Sequence, residues 1–294
     1  MTGATGQLGR ALVRLAQANA GANAGAAVCA YSRAQLDIAD SAAVASVLGD
    51  LRPGDVVINT AAYTAVDAAE TDVDGARRGN EVGPATLAAQ TARTGARLVH
   101  ISTDYVFSGD RLQAGPDGYD VADPVAPATV YGRTKLAGEQ AVREADPSAT
   151  IVRTAWVYTG TTGAADFIAT MRRLEAERET VSVVTDQIGS PTYAADLAAG
   201  LLELSVLLRG TDSGLGTLHA AGAGRASWYE LARAFFAEIG ADPARVLACG
   251  SDQFPRPAPR PAFSVLSGRS WSDAGLTPLR NWREALTAAA GAAR

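Results

Sequence analysis

The sequence predicts an α/β fold, a doubly wound parallel sheet followed by a smaller C-terminal substrate-binding region. Three observations predict it. Short runs rich in Val and Ile alternate with helix-patterned stretches through the first two-thirds of the chain. These runs are apolar on both faces, as strands covered by helices on both sides must be. A glycine run, Gly3, Gly6 and Gly9 of "MTGATGQLGRALV", leads into a helical pattern, the form of a loop that holds a pyrophosphate at a helix N-terminus. Together these give a Rossmann-type sheet.

Strands are expected at "AAVCAY" (26–31), "DVVINTA" (55–61), "RLVHIST" (97–103) and "TIVRTAWVY" (150–158). Helical spacing of apolar residues covers 6–20, 41–51, 66–93 and 127–145. Repeated βα units with right-handed crossovers build the doubly wound sheet. Beyond 158 the pattern loosens into helices at 164–179, 194–208, 227–239 and 281–291, with strands at "TVSVV" (180–184) and "GTLHAAG" (216–222). The stretch "FPRPAPRPAF" (254–263) cannot be a central strand or helix interior and reads as a substrate-side loop. Residues 1–157, with a returning segment near 190–222, are therefore assigned to dinucleotide binding. Residues 158–189 and 223–294 are assigned to substrate binding.

The composition narrows the function. A chain of 294 residues with 47% hydrophobic content can bury a sizeable core. A formal charge of -5, spread along the chain, gives no basic footprint for nucleic acid. Cys29 and Cys249 are far apart, with no CxxC and no nearby histidine cluster, so neither a disulfide framework nor a zinc site is suggested. No stretch has the length of a membrane span and the N-terminus has no signal region, which points to a cytoplasmic protein with a small-molecule partner.

The second chemical motif is "YGRTK", with Tyr131 and Lys135 four apart on one helix face. Lys135 is the only lysine among 26 basic residues. A tyrosine near pKa 10 exchanges protons poorly at neutral pH unless a fixed cation stabilises its phenolate, and Lys135 can do that. The third motif, "HISTDYVF" (100–107), lies at the carboxyl end of a strand, where ligands of open α/β sheets bind. Ser102 or Thr103 could hydrogen-bond a substrate carbonyl there. His100 and His219 lie in predicted strands and no GxSxG is present, which excludes a serine hydrolase.

Gly3/Gly6/Gly9, "NTAAYTAVDAAE" (59–70), "HISTDYVF", "YGRTK", "VRTAWVY" (152–158), "DQIGSPTYAADLA" (186–198) and "RPAFS" (260–264) occur in this order. In this the chain resembles the dTDP-4-dehydrorhamnose reductases, members of the extended short-chain dehydrogenase/reductase superfamily, over nearly its whole length. The resemblance implies reduction of the C4 ketone of dTDP-4-dehydro-β-L-rhamnose to dTDP-L-rhamnose. By it, Thr103 holds the carbonyl oxygen, Tyr131 protonates the nascent alkoxide, and Lys135 lowers the tyrosine pKa and binds the nicotinamide ribose. Two donors at a developing oxyanion stabilise charge that exists mainly in the transition state.

Cofactor contacts are expected from Gly3, Gly6, Gln7, Leu8 and Gly9, from Asp37 and Ile38 beside the adenine, and from Ala61, Ala62 and Tyr63. Asn80 stands where relatives have an active-site asparagine, or serves as a helix cap. Ser32 and Arg33 follow the second strand with no adjacent acid, which favours NADPH while allowing NADH. Substrate contacts are expected from Thr64, Val66, Thr103, Tyr105 and Trp156, and from Arg260 at the diphosphate. Trp156 could equally be core. Phe263 replaces the asparagine of the relatives' "RPxNSxL", which keeps open a different nucleotide 4-keto-6-deoxyhexose as substrate. A non-catalytic NADP-binding regulatory subunit is a third reading, opposed by the intact Thr103, Tyr131 and Lys135. Ala195 stands where some relatives place a Mg²⁺ carboxylate, so no metal is expected, and the chain is expected to be a monomer or homodimer. Relatives also carry a central strand before the glycine run, which the numbered chain lacks.

Overall fold

The structure, a computed structural model, describes residues 1–18, 28–211 and 213–292. In chain order its strands are β1 (Val56–Asn59), β2 (Arg97–Thr103), β3 (Thr150–Thr154), β4 (Val157–Tyr158), β5 (Val181–Val184), β6 (Ile188–Gly189), β7 (Thr192–Tyr193), β8 (Thr217–His219), β9 (Ala226–Ser227) and β10 (Val246–Cys249). Its α-helices are α1 (Gln7–Ala18), α2 (Ser41–Leu48), α3 (Val66–Ala69), α4 (Val73–Arg77), α5 (Gly83–Thr94), α6 (Val130–Ala145), α7 (Phe167–Glu177), α8 (Ala194–Arg209), α9 (Trp228–Glu238), α10 (Arg269–Asp273) and α11 (Trp282–Ala292).

The main sheet is parallel, in the order β1-β2-β3-β8. Thr2 extends it by single parallel bridges to Asn59 on one side and Tyr31 on the other. From Thr2 the chain thus winds one way to Tyr31 and the other way to β1, so Gly3 opens the topological switch point where such sheets bind ligands. Of the predicted strand 26–31, residues 26 and 27 lie outside the described residues, and Tyr31 makes the bridge.

Alternation along the strands sends side chains into two helical layers. Ile58, Val99, Val152 and Leu218 pack with Leu8 and Leu12 of α1 and with Leu197, Leu201 and Leu204 of α8. Val57, Leu98 and Ile151 pack on the other face with Val44 and Leu48 of α2, Leu87 of α5 and Val142 of α6. Asn59, His100 and Arg153 continue the period-two pattern of this second face as polar residues, and all are buried. A separate apolar cluster joins Ile168 and Met171 of α7, Val181 and Val183 of β5, Leu231, Phe235 and Phe236 of α9, and Leu286 of α11.

Besides the strand predicted over 26–31, which among the described residues is only the bridge at Tyr31, three predicted elements differ clearly from the observed ones. The helix predicted over 66–93 is divided into α3, α4, a π-turn (Arg78–Val82) and α5. Asp72 caps α4 by accepting from Gly75 N at 3.0 Å. Pro84 has no N–H to return to the Asn80 carbonyl, and that carbonyl packs instead against Gly138 of α6. The strand predicted over 150–158 breaks between β3 and β4 at Trp156, whose φ of 47° no extended strand allows. The predicted strand 216–222 shortens to β8, while β10, a partner of β5, was not anticipated.

Candidate active site

A cleft of about 1210 Å³ opens at the carboxyl ends of β1, β2 and β3. The turn over Gly3–Gly9 forms its floor. Gly3 has φ 71°, and a Cβ there would lie 2.6 Å from the Ala61 amide, so the turn requires glycine. Gly9 packs so closely on the Gly3 carbonyl that a side chain would not fit. This brings the N-terminus of the twelve-residue helix α1, with its unpaired N–H groups and positive dipole end, to the cleft. The cradle fits a dinucleotide pyrophosphate.

Gln7, Leu8, Arg33, Asp37, Ile38, Ala61, Ala62 and Tyr63 line the same side, joined by Arg10, Arg14 and Arg78. Arg78 Nη2 is ion-paired with Asp37 at 2.9 Å, which holds the Asp37 carboxyl below its usual range. Ser32 does not line the cleft: its Oγ and backbone N–H both donate to Gln35 Oε1, at 2.8 and 2.9 Å. Asn80 is also outside the lining. Buried in the π-turn, it accepts from Tyr63 N at 2.9 Å and donates to Tyr63 O and Thr134 Oγ1, both at 3.1 Å. Asn80 is neither a helix cap nor a cleft residue but the group that fixes Tyr63.

The opposite side carries the reactive groups. Tyr131 and Lys135 sit in the first half of α6, started by Thr129, whose hydroxyl accepts from Gly132 N at 2.9 Å. Thr103 ends β2 and caps the next turn, accepting from Tyr105 N at 3.2 Å and donating to Asp104 Oδ1 at 2.9 Å. Both candidate hydroxyls line the cleft, that of Thr103 near the Tyr131 hydroxyl and that of Ser102 near the Glu139 carboxylate, neither pair meeting full hydrogen-bond geometry. Tyr105 meets the Tyr131 ring edge-on at 5.5 Å.

Burial pushes the Tyr131 hydroxyl up to about 12, with the nearby Thr103 hydroxyl pulling it down and Asp104 pushing it up. The Lys135 ammonium is committed elsewhere, donating to the Ile101 carbonyl at 2.7 Å, and burial lowers its own pKa to about 8. Glu139, one turn further on α6, works against that shift. It is bound bidentately by Arg153 of β3, at 2.9 and 2.7 Å, with both side chains buried.

Trp156 enters the cleft from the β3–β4 break. Its ring stacks on Trp228 at 3.4 Å and nearly parallel, with Gly189 so close behind that a side chain there would collide. Arg260 also lines the cleft, its Nη2 ion-paired with Asp67 of α3 at 2.7 Å. Thr64 and Val66 complete the expected substrate positions within it. Phe263 is turned away into a cluster with Val106, Phe107 and Tyr119, its ring under the Arg111 guanidinium at 4.7 Å.

The chain matches the RmlD substrate binding domain model over residues 1–294. It belongs to that family. It is 54% identical over 294 residues to the dTDP-4-dehydrorhamnose reductase of Mycobacterium tuberculosis, covering 99% of this chain and 92% of that one. A probable dTDP-4,6-dihydroxy-2-methyloxan-3-one 4-ketoreductase of Streptomyces antibioticus is 46% identical, over 97% and 92% of the two chains. Among solved structures, the dTDP-4-dehydrorhamnose reductase of Bacillus anthracis in complex with NADP superposes with a TM-score of 0.86 at 38% identity, covering 97% of this chain and 95% of that one.

Family membership leaves several cleft residues that the sequence reading passed over. Asp104, Gln187, Trp228, Ser264, Thr159 and residues 161–165 line the cleft. Asp104 had a signal: a carboxylate at the buried end of a strand, adjoining the hydroxyl already singled out. Burial raises its pKa to about 6, against hydrogen bonds that favour ionisation. Gln7 reaches the 159–165 segment, donating to Ala165 O at 2.9 Å. Nothing local in the sequence marks that contact.

Proposed function

We propose that the chain is an NADPH-dependent ketoreductase of nucleotide sugars that converts dTDP-4-dehydro-β-L-rhamnose to dTDP-L-rhamnose. The observation that carries this reading is the buried Tyr131, with the Thr103 hydroxyl near it, in the same cleft as the glycine turn. Gly3, Gly6, Gln7, Leu8 and Gly9 would hold the pyrophosphate, Asp37 and Ile38 the adenine, Ala61, Ala62 and Tyr63 the middle of the cofactor, and Lys135 the ribose near the nicotinamide. Arg33, with no acid beside it at the end of its segment, suits a 2′-phosphate. When bound, NADPH supplies the hydride that the ketone carbon takes up.

The protein's own groups handle the oxygen. A phenol held near pKa 12 is protonated at neutral pH, the state a proton donor needs. Tyr131 gives its proton to the ketone oxygen as negative charge develops there. Thr103 offers a second hydroxyl beside it, which in the resting state donates to Asp104 Oδ1. Lys135 supplies the nearby positive charge that the tyrosinate requires after transfer. Trp156, braced by Trp228, gives the sugar a flat apolar face. Arg260 reaches the diphosphate at a charge already balanced by Asp67.

The test is oxidation of NADPH by the purified protein with dTDP-4-dehydrorhamnose. Tyr131→Phe should lower kcat/KM by roughly 10²–10⁴ while thermal unfolding stays cooperative. A wild type that binds NADPH and leaves this substrate untouched would overturn the choice of sugar. A panel of other nucleotide 4-keto-6-deoxyhexoses would then identify it. Phe263, the departure that raised other sugars, packs in the core and supplies no argument for them.

A further inference from the structure

Behind Lys135 a line of buried polar side chains crosses the sheet on the α6 face, and its hydrogen-bond directions can be assigned. Asn59 Oδ1 lies 3.1 Å from the Ala61 N–H, which can only donate, so this atom is the amide oxygen. It also accepts from Thr2 Oγ1 at 2.6 Å. The other end of the amide is therefore the NH₂ group, and it faces His100 Nδ1 at 3.0 Å, in register across β1 and β2. Nδ1 must accept. A neutral His100 consequently carries its proton on Nε2, and Nε2 lies 3.5 Å from Lys135 Nζ. Asn59, His100 and Lys135 are all buried, so no bulk water screens the contact.

We propose that Asn59 fixes His100 as the Nε2–H tautomer and that this N–H, aimed at Lys135, makes His100 a positioning residue that weakens the lysine's hold on its proton. This rests on the reading of Lys135 as the charge beside Tyr131. An N–H facing an ammonium opposes it, whereas the same N–H can donate to the neutral amine. No proton crosses to the ring. The other ionisable groups packed round Lys135 are Tyr131 and Glu139 on its own helix and Arg153 of β3, which is bound to Glu139. Burial lowers the Lys135 pKa to about 8 and Glu139 opposes that shift, and the proposed His100 N–H adds to the lowering.

The chain's single lysine and two histidines allow a direct test. Protein labelled with ¹⁵N-histidine and ¹³C-lysine shows one lysine titration and two imidazoles. His219 serves as an internal reference, because its Nδ1 lies 3.1 Å from the Tyr119 carbonyl and must carry the proton. At pH 7.5 His100 should be neutral with its proton on Nε2, and His219 neutral with its proton on Nδ1. His100→Leu removes the opposing N–H, and Asn59→Asp turns the ring's lone pair toward the lysine. Both should raise the lysine midpoint by roughly 0.5–1 pH unit. The alkaline limb of kcat/KM should follow it, which a purely structural role would not produce. Finding His100 protonated on Nδ1 in the wild type, or a lysine midpoint that does not rise in either variant, overturns the proposal. Absence of ketone reduction by the wild type would overturn the functional reading alone, since the tautomer and the titration are read without substrate.

Discussion

Asp104 is the residue whose environment conflicts most with its chemistry. Its carboxyl is 3% exposed, Oδ1 accepts from Thr103, and Oδ2 lies near the Ser264 hydroxyl without meeting hydrogen-bond geometry. Its folded pKa of about 6 lies above the ordinary 3.8, so folding favours the protonated acid. The associated stability is fully present below about pH 3.8 and is lost as pH rises through 6. Ionised, the buried group costs about 2–3 kcal/mol. Asp104→Asn keeps an acceptor for Thr103 and removes the charge. Denaturant unfolding should find this variant more stable than wild type by about that amount at pH 8, and no more stable at pH 4. The same change should lower the Tyr131 pKa, because the Asp104 charge now raises it. A retained cost with activity lost on substitution would mark a carboxylate kept for the reaction rather than for the fold. Tyr131 and Lys135 could be found from spacing and from the lysine's singularity. The state of each group could not, since it depends on burial, on Ile101 O and on Asp104, none of which the YxxxK spacing encodes.

At the scale of elements, the strands of the main sheet were legible because Val and Ile runs buried on both faces leave a strong pattern. Helices α6, α8 and α9 were legible because their apolar faces keep one period from end to end. The 66–93 segment was not, for a physical reason. Its apolar residues keep helical spacing while Asp72 and Pro84 interrupt the backbone hydrogen bonds, so the side-chain pattern survives where the helix does not. The interruption positions the cleft. Asn80 in the π-turn holds both main-chain groups of Tyr63 and the hydroxyl of Thr134 on α6. Asn80→Ala leaves the two main-chain groups of Tyr63 without these partners in a part-buried setting, while Thr134 keeps its bond to the Tyr131 carbonyl, at about 1–3 kcal/mol for an unsatisfied group. Urea unfolding should report a loss of that size or somewhat more. NADPH affinity should fall along with stability, because Tyr63 lines the cofactor side of the cleft. A stability loss with unchanged affinity would restrict Asn80 to holding α6 against the turn.

For the whole molecule, the sheet with its two helical layers supplies one wall of the cleft, and the segments around Trp156, Trp228 and Arg260 supply the other. Contacts between distant parts of the chain, such as Gln7 with Ala165 and Arg260 with Asp67, had no sequence signal, because partners 158 and 193 residues apart meet only once the fold exists. A ligand that binds only the folded cleft stabilises the whole chain by mass action. NADPH at 100 times its Kd should add about 2.7 kcal/mol, visible as a rise in the unfolding midpoint. The cofactor's second phosphate separates Arg33 from the rest of the cradle. Arg33 is exposed at the cleft edge, while Arg78 is already paired with Asp37. A charge-assisted hydrogen bond to a 2′-phosphate contributes about 1.5–3 kcal/mol. Arg33→Ala should therefore weaken NADPH binding by roughly 10–100-fold and leave NADH binding nearly unchanged, as measured by fluorescence titration of each cofactor. Equal losses for both cofactors would place Arg33 at the adenine or the ribose. Loss of neither would pass the second phosphate to Arg10, Arg14 or Arg78, the other guanidinium groups on that wall.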